Sequence, residues 1–206
     1  MKKLFVATQN RGKQKEIENC LKGVFELVLC AADYEDYPEI DEDGETFEAN
    51  ALKKARIAAG FTGLPSLADD SGLVVDALGG RPGVLSARYA GPGCDDDANN
   101  SKLLAELSGI RAEERRAAFV CAMAFVTQQG EEHVFSGRIE GRILEAGRGN
   151  DGFGYDPLFL VDRFGKTMAE LTLEQKNSIS HRGQALRLFR ACLLNSHADS
   201  IAGEGR

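Results

Sequence analysis

The chain predicts an α/β fold: a mixed central sheet flanked by helices, with two lobes and an active-site cleft between them. Three observations predict it. The first thirty residues read strand, loop, helix, strand. Residues 116–144 read as two long strands joined by a hairpin, and 206 residues at 43% hydrophobic content suffice for one large core-bearing domain. Residues 1–198 are therefore read as a single two-lobed domain, and residues 199–206 as a frayed C-terminal tail.

Lys3 to Thr8 form the first short apolar and β-branched run. Gln9-Asn10-Arg11-Gly12 then leads into a helical stretch with Ile17, Cys20 and Leu21 at helical spacing. Val24 to Cys30 is the second strand, followed by an acidic connector, Glu35 to Glu45, containing Pro38. From Thr46, a possible cap, the next helix aligns Phe47, Ala51, Ala55 and Ala58 on one face, with Gly60 as its stop. Short apolar segments flank Asp69-Asp70, and a GGRPG turn precedes a helix from Asp96 to Leu107 whose opening acids suit its N-terminus. Arg116–Thr127 and Glu132–Leu144 are the long strands, joined by QQGE. After a glycine-rich loop, Leu158 to Val161 is a brief strand, and Ser180 to Leu194 a final helix with Leu186, Phe189 and Leu193 inward.

The composition excludes several classes of function. A net charge of −7 argues against broad binding to nucleic acid polymers or to anionic membrane surfaces. The first apolar run is too short for a secretory signal, and no stretch reaches the length of a bilayer span. Five widely spaced cysteines, with no CxxC, read as reduced thiols in a cytoplasmic protein.

Four constellations bear chemistry. Asp69-Asp70 followed by Ser71-Gly72 reads either as a polar turn between two strands or as an oxygen-ligand site for Mg²⁺. The loop Thr8-Gln9-Asn10-Arg11-Gly12-Lys13 leaves a strand and enters a helix, where free N–H groups favour an anion; solvent-facing side chains on a plain turn are the alternative. In Gly149–Pro157, Phe153 or Tyr155 either stacks on a nucleobase or plugs the core. In Lys176–Gly183, His181 and Arg182 sit at a helix start, the wrong end for cations unless an anion is near. Together these features suit a nucleoside triphosphate, with a divalent ion bridging Asp70 to phosphate oxygens that the carboxylates would otherwise repel. The acidic connector either supplies a further ligand or is simply a solvated loop.

Five ordered blocks carry a resemblance across nearly the whole chain: FVATQNRGKQKEI, ETFEANALKKA, ADDSGLVVDALGGRPGVLSARYAG, GFGYDPLF and AELTLEQKNSISHRGQAL. In these the chain resembles the inosine/xanthosine triphosphate pyrophosphatase family, also called Ham1-like. The resemblance implies a hydrolase acting on an acid anhydride: ITP, dITP and XTP go to monophosphate and pyrophosphate in a cytoplasmic homodimer. It further implies that Asp70 binds Mg²⁺ and accepts the proton, with Asp41 or Glu42 assisting the metal. Thr8, Gln9, Asn10, Arg11, Gly12 and Lys13 would hold phosphate and Ser71 would touch the substrate. Phe153, Gly154, Tyr155 and Asp156 would flank the base, with Lys176, His181 and Arg182 completing the shell. A related pyrophosphatase for other modified nucleotides and a non-catalytic purine nucleotide sensor are the alternatives.

Overall fold

The computed structural model describes the backbone of residues 3–93 and 95–203, and side chains within that span as far as residue 194. A single seven-stranded mixed sheet runs through it in the order β2-β1-β3-β4-β5-β6-β7. The strands are β1 (Lys3–Val6), β2 (Leu27–Cys30), β3 (Ser66–Val75), β4 (Arg116–Val126), β5 (Glu132–Ile143), β6 (Phe159–Val161) and β7 (Lys166–Thr167). β1 lies parallel to both β2 and β3, and every pair from β3 to β7 is antiparallel. Leu4, Phe5 and Val6 are buried, as a parallel strand covered on both faces requires.

Among the described residues five α-helices flank the sheet: α1 (Arg11–Leu21), α2 (Phe47–Thr62), α3 (Asp96–Glu106), α4 (Leu173–Ile179) and α5 (His181–Gly203). α1 and α5 cover one face, where Leu4, Ile17, Leu67, Met123 and Phe189 form a core. α2 covers the other through Ala51, Ala55 and Ala58, whose small side chains let it lie close to Ala68, Ala122 and Ala124 of the strands. A third core, around Leu73, Leu103, Phe119 and Phe159, fills the far end of the long strands beneath α3 and β6. The functional groups lie where these bodies meet.

Side-chain caps mark the helix starts. Asn10, Thr46 and Asp95 accept the N–H of Lys13, Ala49 and Ala98 at 3.0, 3.1 and 2.8 Å, and Ser180 Oγ accepts that of Gly183 at 3.0 Å. The expected stop of α2 at Gly60 is displaced: the helix runs on to Thr62, and Gly63 ends it in the left-handed region at φ 65°. Asp69 and Asp70 do not form a turn. They lie inside one uninterrupted ten-residue strand, with Asp69 opposite Met123 and Asp70 opposite Ala122. The second strand begins at Leu27 rather than Val24, and α4 is a separate helix with a Thr172/Gln175 capping box that the pattern had not marked. The expected tail at 199–206 falls within α5 as far as Gly203 and lies outside the described residues from 204. Cys20, Cys30 and Cys121 are free thiols, and Cys94 lies outside the described residues. Among the described residues no helix is long and apolar enough to cross a membrane.

Candidate active site

Consecutive side chains on a strand point to opposite faces, so Asp69 and Asp70 address different helices. Asp70 faces α2. Its Oδ2 accepts from Asn50 Nδ2 at 3.0 Å, and its Oδ1 lies 3.4 Å from Lys54 Nζ. Lys54 also reaches Glu42 Oε1 at 2.5 Å, so one ammonium joins the strand carboxylate to the acidic connector. Arg88 holds the same connector by donating to the Glu42 carbonyl at 2.7 Å. Burial pushes the Asp70 carboxyl above its ordinary range; Lys54 and Lys13 oppose this and Glu42 adds to it.

Asp69 faces α1 and α5 and is enclosed by donors. Its Oδ2 receives Arg182 Nη2 at 2.9 Å, Arg182 Nε at 3.1 Å and the Ser71 hydroxyl at 2.6 Å, with Lys13 Nζ at 3.3 Å. Burial alone would raise this carboxyl, but Lys13, Arg182, Lys54 and the Ser71 hydroxyl hold it far below the carboxylate range. Arg182 in turn gives Nη1 to Glu16 Oε2 at 2.5 Å, and Glu16 Oε1 meets Lys176 Nζ at 2.7 Å. Lys176 ends the row on Asp156 Oδ2 at 2.5 Å. The carboxylates of Asp69 and Glu16 are the anions that Arg182, the cation at the start of α5, requires. Alternation of sign along Lys13, Asp69, Arg182, Glu16, Lys176 and Asp156 lets six charges share a buried row, because each meets an opposite neighbour.

The aromatic side of the site rests on this row. Lys176 Nζ lies 4.7 Å from the centre of the Phe153 ring, and the Arg182 guanidinium lies 5.8 Å from it. The ring's other neighbour is the first loop, since a Cβ added at Gly12 would collide with Phe153. His181 is buried and stacks on Phe119 at 5.0 Å between centroids, with Nδ1 lacking a hydrogen-bond partner among the described residues. Burial, reinforced by Arg182 and Lys176, holds its imidazole well below the ordinary value, so it stays neutral near pH 7.

A cleft of about 920 Å³ opens over these groups, a size suited to a small molecule. Of the residues singled out in the sequence, Thr8, Gln9, Asn10, Lys13, Asp41, Glu42, Asp70, Ser71 and the stretch Phe153–Asp156 line it, together with Lys176, His181 and Arg182. Tyr155 lines it with its ring only, because its hydroxyl is given to the Ser86 carbonyl at 2.8 Å. Arg11 does not reach the cleft. It turns back to Asp33 Oδ1 at 2.6 Å and the Ala32 carbonyl at 2.7 Å, tying the first loop to the end of β2. Gly12 serves as the bed of Phe153 instead of lining the cleft. The sequence reading missed Glu16, Asn50, Lys54 and Arg88. Two of these had a legible signal, since Asn50 and Lys54 are polar residues placed among the alanines of the buried α2 face.

The cleft sits at the carboxyl end of β1, beside the starts of α1 and α5, with buried cations set against paired carboxylates and an aromatic ring. Such a fold and site define an α/β protein with a polar cleft of small-molecule size. Residues 4–192 match the Ham1 family. A dITP/XTP pyrophosphatase of Geobacter sulfurreducens is 57% identical over 92% of this chain and 96% of its own length. One of Desulforamulus reducens is 51% identical over 90% and 92%. Among solved structures, the Ham1 protein of Staphylococcus aureus superposes with a TM-score of 0.83 at 40% identity, covering 95% of this chain and all of its own. A Coxiella burnetii HAM1 protein gives 0.84 at 40% identity with the same coverage. The chain belongs to the Ham1 family.

Proposed function

We propose that the protein hydrolyses dITP, ITP and XTP to nucleoside monophosphate and pyrophosphate, removing deaminated purines from the nucleotide pool. The observation that carries this reading is Asp70, buried beside Lys54 and Glu42 in the same cleft as Phe153 and His181. The relatives named dITP/XTP pyrophosphatases supply the substrate class.

The donor set suits Mg²⁺. Glu42 and Asp70 converge on a single cation, the Lys54 ammonium, and Asp41 lines the same cleft. Mg²⁺ takes hard oxygen ligands and is commonly held by one or two carboxylates, with substrate phosphates and water completing its shell. Asp70 and Glu42 are the residues that would hold it, with Asp41 elsewhere on the lining of the same cleft. When bound, the ion would neutralise phosphate charge and polarise the anhydride.

This chain's own groups account for the remaining steps. Asp70, raised in basicity by burial, takes a proton from water as the water oxygen bonds to the α-phosphorus. The bond between the α-phosphorus and the bridging oxygen breaks, and pyrophosphate leaves with that electron pair. Lys13 and the N–H groups at the start of α1 bind phosphate oxygens and stabilise the charge that develops on them. Phe153 flanks the base. His181, neutral and lining the cleft, offers a ring N–H that reads a 6-oxo purine, whereas Arg182 is already committed to Asp69 and Glu16. A 6-amino purine would leave a buried polar group unpaired, a mismatch worth up to about 10⁴-fold in discrimination.

The enzyme is taken to act as a cytoplasmic homodimer on free nucleotides, in keeping with the family resemblance and the acidic net charge. The test incubates the protein and Mg²⁺ with dITP, XTP, ITP, ATP, GTP and a set of modified pyrimidine triphosphates, and identifies the products. Monophosphate and pyrophosphate in equal amounts from dITP and XTP is the expected result. Orthophosphate release would mean a different bond is cut, preference for the pyrimidines a different substrate class, and saturable binding without turnover a sensor.

A further inference from the structure

Asn50 lies one helical turn before Lys54 on α2 and is fully buried. Its amide is divided between two functional elements. Nδ2 donates to Asp70 Oδ2 at 3.0 Å and to the Gly44 carbonyl at 3.4 Å, while Oδ1 accepts the Gly44 N–H at 2.8 Å. Both donor hydrogens and one acceptor site of the amide are thereby used. The fit at Gly44 is close, since a Cβ there would stand 2.6 Å from Asn50 Oδ1. Lys54 repeats the pattern one turn on, joining Asp70 Oδ1 to Glu42 Oε1.

Thus each oxygen of the Asp70 carboxylate meets a different residue of the same helix, and each of those residues also grips the Glu42–Gly44 stretch. The terminal torsion of an aspartate is broad and nearly two-fold, so a lone partner on Oδ1 would leave the carboxylate free to swing. We infer that Asn50 is a positioning residue, fixing the orientation of the Asp70 carboxylate and the place of the Glu42-bearing connector in one contact. The inference rests on the proposed role of Asp70 as proton acceptor, and it assigns Asn50 no contact with the substrate.

The test uses the full chain with Asn50→Ala, Asn50→Asp and Gly44→Ala, each checked by thermal unfolding. It reads steady-state kinetics on dITP together with backbone hydrogen exchange over residues 41–45. For Asn50→Ala we expect kcat to fall about 10²-fold, the size of a roughly 1 Å misplacement, with KM changed less than about threefold. Exchange at 41–45 should quicken by about tenfold or more in Asn50→Ala and in Gly44→Ala, because both break the amide clamp. Asn50→Asp keeps an acceptor for the Gly44 N–H and loses the donor to Asp70, so it should lose kcat while keeping the connector protected. Asn50→Ala with kcat within about threefold of the wild type overturns the inference, as does exchange at 41–45 that neither alanine variant alters. Gly44→Ala lies on the half-buried connector and reads the clamp even if Asn50→Ala fails to fold. A wild-type protein inactive on dITP and XTP would refute the proposed function instead, and the exchange data would still decide the clamp.

Discussion

Arg182 Nη2 and Asp69 Oδ2 lie 2.9 Å apart, with the side chain of Asp69 wholly buried and that of Arg182 almost so. Removing one partner strands the other charge away from water. Arg182→Ala should therefore destabilise the fold by about 3–5 kcal/mol, measured by urea denaturation. Asp69→Asn, which keeps the shape and one acceptor oxygen, should be milder. Equal losses from the two would mean that packing outweighs charge at this pair.

Asp70→Asn keeps the side chain's size and one acceptor oxygen toward Asn50 and Lys54 but cannot accept a proton from water. Turnover of dITP should fall by about 10²–10⁴-fold while the thermal midpoint stays near that of the wild type. A variant that still turns over at the wild-type rate would remove Asp70 from proton transfer.

Gly12 occupies the first turn of α1, where alanine would ordinarily add about 0.5–1 kcal/mol of helix stability. Here the added methyl meets the Phe153 ring. Gly12→Ala should raise KM for dITP by about tenfold, about 1.4 kcal/mol of binding, and weaken inhibition by the monophosphate in parallel. Unchanged KM would show that Phe153 is free to move aside.

Arg11 supplies the contrast. Its bond to Asp33 is exposed at both ends, 58% and 51%, where water screens the pair and leaves it little net worth. Arg11→Ala should leave kcat/KM within about threefold of the wild type, whereas Lys13→Ala, two residues on and lining the cleft, should lower it by about tenfold or more. Steady-state assays of the two variants decide this.

Acid should destabilise the protein through several buried groups, and His181 and Glu16 illustrate two different windows. The His181 imidazole is held well below its ordinary value, chiefly by burial and then by Arg182 and Lys176. The unfolded chain therefore binds the proton first, and stability falls as pH drops through the ordinary imidazole range near 6.5. Burial tends to raise the Glu16 carboxyl, but Arg182 and Lys176 outweigh it and leave it lowered. Its contribution is present above the ordinary carboxylate range and is lost at lower pH, as pH falls through the depressed folded-state value. His181→Gln should flatten the slope of thermal midpoint against pH between about 6.5 and 5. An unaltered slope would place the proton uptake elsewhere.

The parts of the fold carried by local pattern were legible in the sequence. The β-branched opening, the alanine stripe of α2 and the long β4–β5 hairpin each state their period over enough residues to be read. The Asp69-Asp70 strand was not, because two adjacent acids before Ser-Gly look locally like a turn. What keeps that segment extended is long-range: ten paired positions on β4, and donors from residues 13, 50, 54 and 182. Arg11 and Lys13 look equally cationic in the sequence, and only the backbone path of the first turn sends one to Asp33 and the other to Asp69. Glu16 gave no signal at all, since its value depends on Arg182, 166 residues away.

The placing of two neighbouring aspartates on opposite faces of β3 turns strand register into a chemical setting. A slip of one residue against β4 would turn each to the opposite face, and in one direction would seat Asp70, the proposed proton acceptor, where Asp69 now meets Arg182 and Lys13. A single inserted or deleted residue in this strand would thus leave both carboxylates in the molecule and neither in its working environment. The length of β3 is as much a part of the catalyst as the side chains it carries.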